Sequence, residues 1–434
     1  MKKLLLLTIL AVQINAGFGQ TTIQGIINSD VILIKDNSPY LVTGDLVVFP
    51  KWKLTVEPGV ELRFENNVKL QIRGALMALG TENDSISFIS NTGTDNGVWQ
   101  GIEIMNTLGG NASFDYCNFS HSSVAILEEC CWGGNLEIKN SHFTFNAVAL
   151  SGYSGTQATV DNCYFANNGT CISHADKIIN NCIFENNEYG LNMTERVSVS
   201  NSTFTNHSKI ALYGGRGQLT DCIITDNNIG VKAFFEGFTI ENCDISNNQV
   251  GIELNDYYNG SRRYVSPVNN STICNNIQFN VKNNSMCDVD LYTNCWCTSD
   301  STTVENLIYD AWDNYNVGFV NYVLFADNCI EPILKTFKAE NRVQYFTNGI
   351  NSLTNDKIII YQNPASSTLF IKNAENLINI KIYDHIGKLL MNRFDDFDNN
   401  LIELNISGFA SGLYVVSLTN QNNETVSKKV IIAK

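Results

Sequence analysis

Cationic side chains are scarce in this 434-residue chain, histidine is scarcer, and no long apolar run follows the first dozen residues. Five scattered histidines, and cysteines that form no CxxC followed by a second CxxC or a His pair, exclude a zinc site. No later segment offers the roughly 18 uncharged apolar residues a transmembrane helix needs, so the mature chain is expected to be soluble. Removing the 8 basic and 8 acidic residues of 353–434, together with Lys2 and Lys3, from chain totals of 28 and 43 leaves 18 against 35 for residues 21–352, a net charge of −17. Such a surface repels nucleic acid and anionic lipid and offers polyuronates no attracting field, so a neutral or cationic partner fits better. Helical periodicity is also missing, which excludes the helical solenoids.

What is present begins with a leader. Lys2 and Lys3, the apolar run 4–12 and the small polar turn at Asn15, Ala16 and Gly17 make residues 1–20 a secretory signal peptide. The remaining length exceeds what one core serves unless that core extends along an axis. Thirteen cysteines is an odd count for an exported chain, leaving at least one thiol over if all pairing is intramolecular. Cys117, Cys163, Cys182, Cys222 and Cys243 fall in a repeat. Cys130, Cys131, Cys287, Cys295, Cys297 and Cys329 sit in irregular segments, and these are the disulfide candidates.

The repeat fixes the architecture. FDYCNF, IKNSHF, VDNCYF, INNCIF, VSNSTF, LTDCII, IENCDI and VNNSTI start at Phe114, Ile138, Val160, Ile179, Val199, Leu219, Ile240 and Val268. Their Cys/Ser positions, 117, 141, 163, 182, 202, 222, 243 and 271, recur about every 20 residues, which signals a stacked array. Five residues later comes Asn146, Asn168, Asn187, Asn227, Asn248 or Asn276, with Ser122 and His207 standing in elsewhere. Runs of three to five residues with period-2 alternation, broken by Asn and Gly, predict short strands and tight turns. Stacked coils would place Phe, Ile and Cys/Ser in inward columns, and Asn at left-handed corners forming amide ladders. Cysteine there reads as a small inward hydrophobe, with Cys163–Cys182 and Cys222–Cys243 within reach of disulfide geometry.

These repeats resemble the right-handed parallel β-helix family, and the resemblance spans about residues 40–330. Upstream, LTVEPGVELRF (54–64), GALMALGT (74–81), ISFIS (86–90) and WQGIEI (99–104) are similar to its opening coils. Downstream, residues 294–325 resemble its closing segment, with Asn294-x-Trp296 followed by an Asp-containing run. Where Gly commonly follows that Trp, this chain has Cys297, and the resemblance implies a local disulfide to Cys329 or Cys287. After a connector at 331–356, residues 357–434 alternate as a small all-β sandwich. Asn363, Pro364, Leu369, Ile382, Tyr383, Asp384, Gly387, Gly412, Tyr414, Lys428, Lys429 and Lys434 resemble the C-terminal sorting domain of type IX secretion cargo; Gln362 departs from its usual Pro. That resemblance implies docking with outer-membrane machinery, and a passenger at 21–330 that is released or attached to the surface. Asp84-Ser85-Ile86 and Asp300-Ser301-Thr302 resemble O-glycan acceptor sites of such exported proteins.

Insertions between coils emerge at one azimuth and build a continuous edge. It collects Trp132, Tyr153, Tyr213, Arg216, Phe234, Phe235 and the insertion 255–267 with Tyr257, Tyr258, Arg262, Arg263 and Tyr264. Aromatic faces beside guanidinium donors suit sugar rings, whereas the plainer reading is that they shield the flank of the stack. Asp221, Glu241 and Asp161 are the carboxylates nearest to a hydrolytic arrangement, and Lys209, Arg216 and Lys232 the only bases for elimination nearby. Asp288 with Asp290, and Asp310 with Asp313, lack the spacing of a calcium loop. The expectation is therefore an exported binder of carbohydrate or another extracellular polymer, in adhesion or capture, with no cofactor. A polysaccharide lyase or glycosidase is the alternative, and a purely structural surface repeat comes third.

Overall fold

The structure, a computed structural model, describes residues 13–17, 20–93, 95–129, 135–153, 157–174, 176–193, 197–256, 268–322, 359–361, 365–372, 377–384, 388–397, 401–420 and 425–432. The chain divides into two compact units, Met1–Phe337 and Lys338–Lys434.

The first unit is a parallel β-helix. Each coil contributes three strands, as in Gln157–Asp161, Tyr164–Ala166 and Thr170–Ser173. Each strand pairs in parallel with its equivalents in the neighbouring coils, so three faces rise along one axis. In Ile210–Thr220 and Ile229–Glu241 the third strand of one coil runs into the first of the next. Gln13–Gly17, inside the segment expected to be the leader, pairs antiparallel with Gln20–Ile27 at the start of the stack.

Period-2 alternation drives this packing. In the second face Phe88, Phe119, Phe143, Phe165, Phe184 and Phe204 stand directly over one another, followed in register by Ile224, Ile245 and Ile273. Successive rings stack at centroid distances of 5.1, 4.6, 4.8, 4.7 and 4.5 Å, the spacing of the strands themselves. All six rings are buried, and burial of each contributes about 1.5–3 kcal/mol. Cys117, Ser141, Cys163, Cys182, Ser202, Cys222, Cys243 and Ser271 form the small inward column beside them. The cysteines of that column are free thiols, so the Cys163–Cys182 and Cys222–Cys243 disulfides do not form.

The asparagine column points inward rather than turning the corner. Asn146 Nδ2 donates to Asn168 Oδ1 at 3.0 Å, Asn168 to Asn187 at 3.1 Å, Asn227 to Asn248 at 2.9 Å and Asn248 to Asn276 at 3.0 Å. Each Oδ1 also accepts the backbone N–H of the preceding rung. The expected amide ladder is there; the left-handed backbone sits one residue earlier, at Asn167, Asn186 and Asn247, and again before the Cys/Ser column at Asn140, Asn162, Asn181 and Asn201. Two left-handed residues thus bracket each three-residue strand of the second face. Gly251 belongs to the small column packed on the ladder, where a Cβ would come within 2.7 Å of Asn276 Nδ2.

The upper end is closed by Asn294, whose Oδ1 accepts from Ser271 N–H, and by buried Trp296. Cys297 is bonded to Cys274, not to Cys287 or Cys329: Cys287 is free, and Cys329 lies outside the described residues. Cys274 ends a strand of the second face, so the bridge ties the last regular coil to the closing segment. Cys295 is also disulfide-bonded. The second unit is a β-sandwich of a three-stranded antiparallel sheet and a four-stranded one, around Leu369, Ile371, Ile380, Ile382, Leu404, Val416 and Leu418.

Candidate polymer-binding face

The outward side of the third face carries one uninterrupted column. Ser151, Ser173, Asn192, Tyr213, Lys232, Glu253, Lys282 and Tyr309 are aligned one per coil. Seven inter-strand steps make it about 34 Å long. Beside it runs an apolar column of Val148, Thr170, Tyr189, Ile210, Ile229, Val250 and Phe279. The result is a lane with hydroxyl and amide groups at one end and aromatic and charged groups at the other.

Its groups are held by neighbours. Ser173 Oγ donates to Ser151 Oγ at 2.9 Å. The Tyr213 and Phe234 rings lie 5.0 Å apart, Lys209 Nζ sits 5.0 Å over the Tyr189 ring, and Lys282 Nζ 5.8 Å from the Tyr309 ring. Lys232 Nζ meets the largely buried Glu253 carboxylate at 2.8 Å, and Asn255 Nδ2 donates to the same carboxylate at 3.3 Å. Planar rings, hydroxyls and fixed donors at regular spacing are the groups that recognise sugar rings.

Of the residues expected on the edge, Tyr213 and Phe234 lie on this face, and Tyr153 is 56% exposed at its rim, just past Ser151. Arg216 lies beyond Tyr213 in the same long strand, paired with Gly237. Trp132, Tyr257, Tyr258, Arg262, Arg263 and Tyr264 fall outside the described residues. Of the carboxylates weighed for hydrolysis, Asp221 and Glu241 lie on adjoining coils as expected, the Asp221 N–H donating to Glu241 O at 3.2 Å. Asp161 and Glu241 share an outward column of the first face but stand four coils apart, about 19 Å. Asp161 is already engaged by Asn180 and Asn181. Asp288, Asp290, Asp310 and Asp313 accept hydrogen bonds within the closing turns. Asp300 caps the helical turn Ser301–Glu305, Asp84 pairs with Lys35, and Ser85 Oγ accepts from Asn118. Sequence reasoning missed Glu253 and Lys282, and also Trp312 and Tyr315, which are 78% and 90% exposed in the closing segment.

Fold and face together define a β-helix passenger joined to a C-terminal β-sandwich. Residues 359–433 match the family described as secretion system C-terminal sorting domain, and the C-terminal unit belongs to it. The chain is thus cargo of the type IX system, secreted or attached to the cell surface, and no helix among the described residues is long and apolar enough to cross a membrane. Asp384 pairs with Tyr414, Tyr414 OH donates to Ala410 O at 2.8 Å, and Gly412, Lys428 and Lys429 lie in the last two strands. Asn363, Pro364, Gly387 and Lys434 lie outside the described residues.

The chain is 42% identical over 72 residues to Protein bark beetle of Drosophila melanogaster and 29% identical over 84 residues to an endo-acting ulvan lyase of Formosa agariphila. Those stretches are 17% and 19% of this chain but only 2% and 16% of the two relatives. Among solved structures it is similar to a periplasmic alginate epimerase (12% identity, 70% of this chain and 85% of that one, TM-score 0.31). A capsular polysaccharide depolymerase tailspike of an Acinetobacter baumannii bacteriophage is also similar (10%, 88% and 73%, 0.36), as is a mannuronan C-5 epimerase module of Azotobacter vinelandii (12%, 71% and 89%, 0.33).

Proposed function

We propose that the passenger, residues 21–330, enters the export route through a signal peptide at 1–20 and binds an extracellular polysaccharide along the third face, in adhesion or capture. The observation that carries this reading is the in-register column from Ser151 to Tyr309, which repeats sugar-compatible groups once per coil. Tyr153 at the rim extends the aromatic surface, and Trp132, Tyr257, Tyr258, Arg262 and Arg263 belong to the same proposed ligand-binding set. The excess of acid over base favours a neutral polymer.

A glycan array probed with the wild-type chain and with Tyr213→Ala/Lys232→Ala tests it. Binding to a polymer that weakens at least tenfold in the double variant is expected; identical profiles refute the assignment. An enzyme acting on polysaccharide is the second reading, favoured by Lys232 and Glu253 in contact between Tyr213 and Lys282 on one column, and in keeping with the short similarity to an ulvan lyase. New reducing ends or unsaturated-product absorbance after incubation with a polysaccharide panel would establish that reading.

A further inference from the structure

Among the described residues the most exposed aromatic side chains stand in the closing segment, outside the lane. Trp312 is 78% exposed, Tyr315 90% and Phe319 41%. Trp99 and Trp296, by contrast, are buried. Single apolar side chains in water need no account, but three aromatics within eight residues form a patch that does.

The backbone under these rings is held firmly. Buried Asp310 accepts from the Trp312 N–H through Oδ1 and from the Val320 N–H through Oδ2, both at 2.8 Å, while Asp313 Oδ2 accepts from the Asp310 N–H at 3.2 Å. The N–H groups of Asp313 and Asn314 donate to Asp310 O at 3.0 Å, and that of Val317 to Asn314 O at 3.1 Å. Phe319 packs edge to face against Trp312, with centroids 5.6 Å apart. A ring fixed before its ligand arrives loses little freedom on binding. The same turn is joined to the lane. Asp310 directly follows Tyr309, the last rung, and Asn314 Nδ2 donates to Tyr309 OH at 3.2 Å, which sets the turn beside that rung.

The polar company of the patch decides what it suits. Residues 283–322 hold six carboxylates and no lysine or arginine, so phosphate headgroups and acidic sugars are repelled. Amides are close at hand, since Asn314 and Asn316 flank Tyr315 in the chain. Aromatic faces with amides and no cation match a neutral sugar ring, whose C–H face lies on the aromatic ring while its hydroxyls meet the amides. We propose that Trp312 and Tyr315 form a carbohydrate-stacking subsite at the upper end of the lane, taking a neutral sugar of the bound polymer. The inference rests on the lane reading above and gives the lane a direction: the polymer is anchored beside Tyr309 and runs along the rungs toward Ser151.

Calorimetric affinity of the full chain for a panel of neutral and acidic polysaccharides tests this, with wild type, Tyr213→Ala/Lys232→Ala and Trp312→Ala/Tyr315→Ala compared. Both positions of the last variant are exposed, so it should fold as the wild type does. It should bind a neutral polymer about tenfold more weakly, and Trp312→Phe should keep most of the affinity. Unchanged affinity in Trp312→Ala/Tyr315→Ala, with the lane variant weakened, overturns the subsite and leaves the lane standing. A lane variant that binds like wild type, or a panel on which nothing binds, sinks the lane reading and the subsite with it. Binding to phosphatidylcholine vesicles, or self-association in sedimentation, that Trp312→Ala/Tyr315→Ala abolishes would give the patch to a membrane or a second copy and would equally overturn the proposal.

Discussion

His207 interrupts the amide ladder, and its cost can be worked from its surroundings. The ring is 2% exposed; its Nδ1 bonds Asn227 Oδ1 at 2.8 Å and its Nε2 faces no partner. A proton on Nε2 would place a charge and an unpaired donor in the core, and burial lowers the ring's pKa to about 4 from an ordinary 6.5. In the unfolded chain the ring takes up a proton near pH 6.5, in the folded chain only near 4. Stability from this residue is therefore complete above pH 6.5 and is lost as pH falls toward 4, by about 2 kcal/mol at pH 5 and about 3 in full. His207→Asn restores the rung and removes the titration. His142, also lowered to about 4 by burial, is present in both proteins and cancels in the comparison. Urea unfolding at pH 8 and pH 5 should show the wild type losing about 2 kcal/mol more than the variant. Equal losses would refute the assignment of this pH dependence to His207.

Three further outcomes follow from the same packing. Phe184→Ala, in the middle of the ring column, should cost about 3–5 kcal/mol in denaturant unfolding, because rings above and below fix the cavity open. Cys117, Cys163 and Cys171, whose thiols burial pushes well up, should resist alkylation in the native protein and react fully in urea, as read by intact mass. Deleting residues 357–434 should leave the passenger inside the cell envelope, as followed by immunoblot of cell and medium fractions; undiminished export would contradict the role of the C-terminal unit.

Much of the architecture was legible because equivalent positions repeat residue types. The Phe, Cys/Ser and Asn columns could be read off the repeats directly. Which of two adjacent asparagines turns the corner could not: the doublets Asn167-Asn168, Asn186-Asn187 and Asn247-Asn248 place a left-handed residue beside a buried rung, and only the backbone distinguishes them. The lane was hidden for the opposite reason. Ser173, Asn192, Tyr213, Lys232 and Glu253 share a position but no residue type, since an outward site varies while an inward column must fit. The buried Lys177–Glu128 ion pair joins side chains from coils two turns apart, and its one sequence trace is a lysine where an inward column of the first face otherwise holds Leu, Ala or Val. Cys274 gave no signal of its disulfide because it occupies a regular strand.

Dependence of affinity on oligosaccharide length tests the proposed lane most directly. With a polymer the array identifies, calorimetric affinity should rise with chain length until the ligand spans the column, about 34 Å, and stay flat beyond it. Affinity that is already maximal for a disaccharide would contradict a site extended over eight coils.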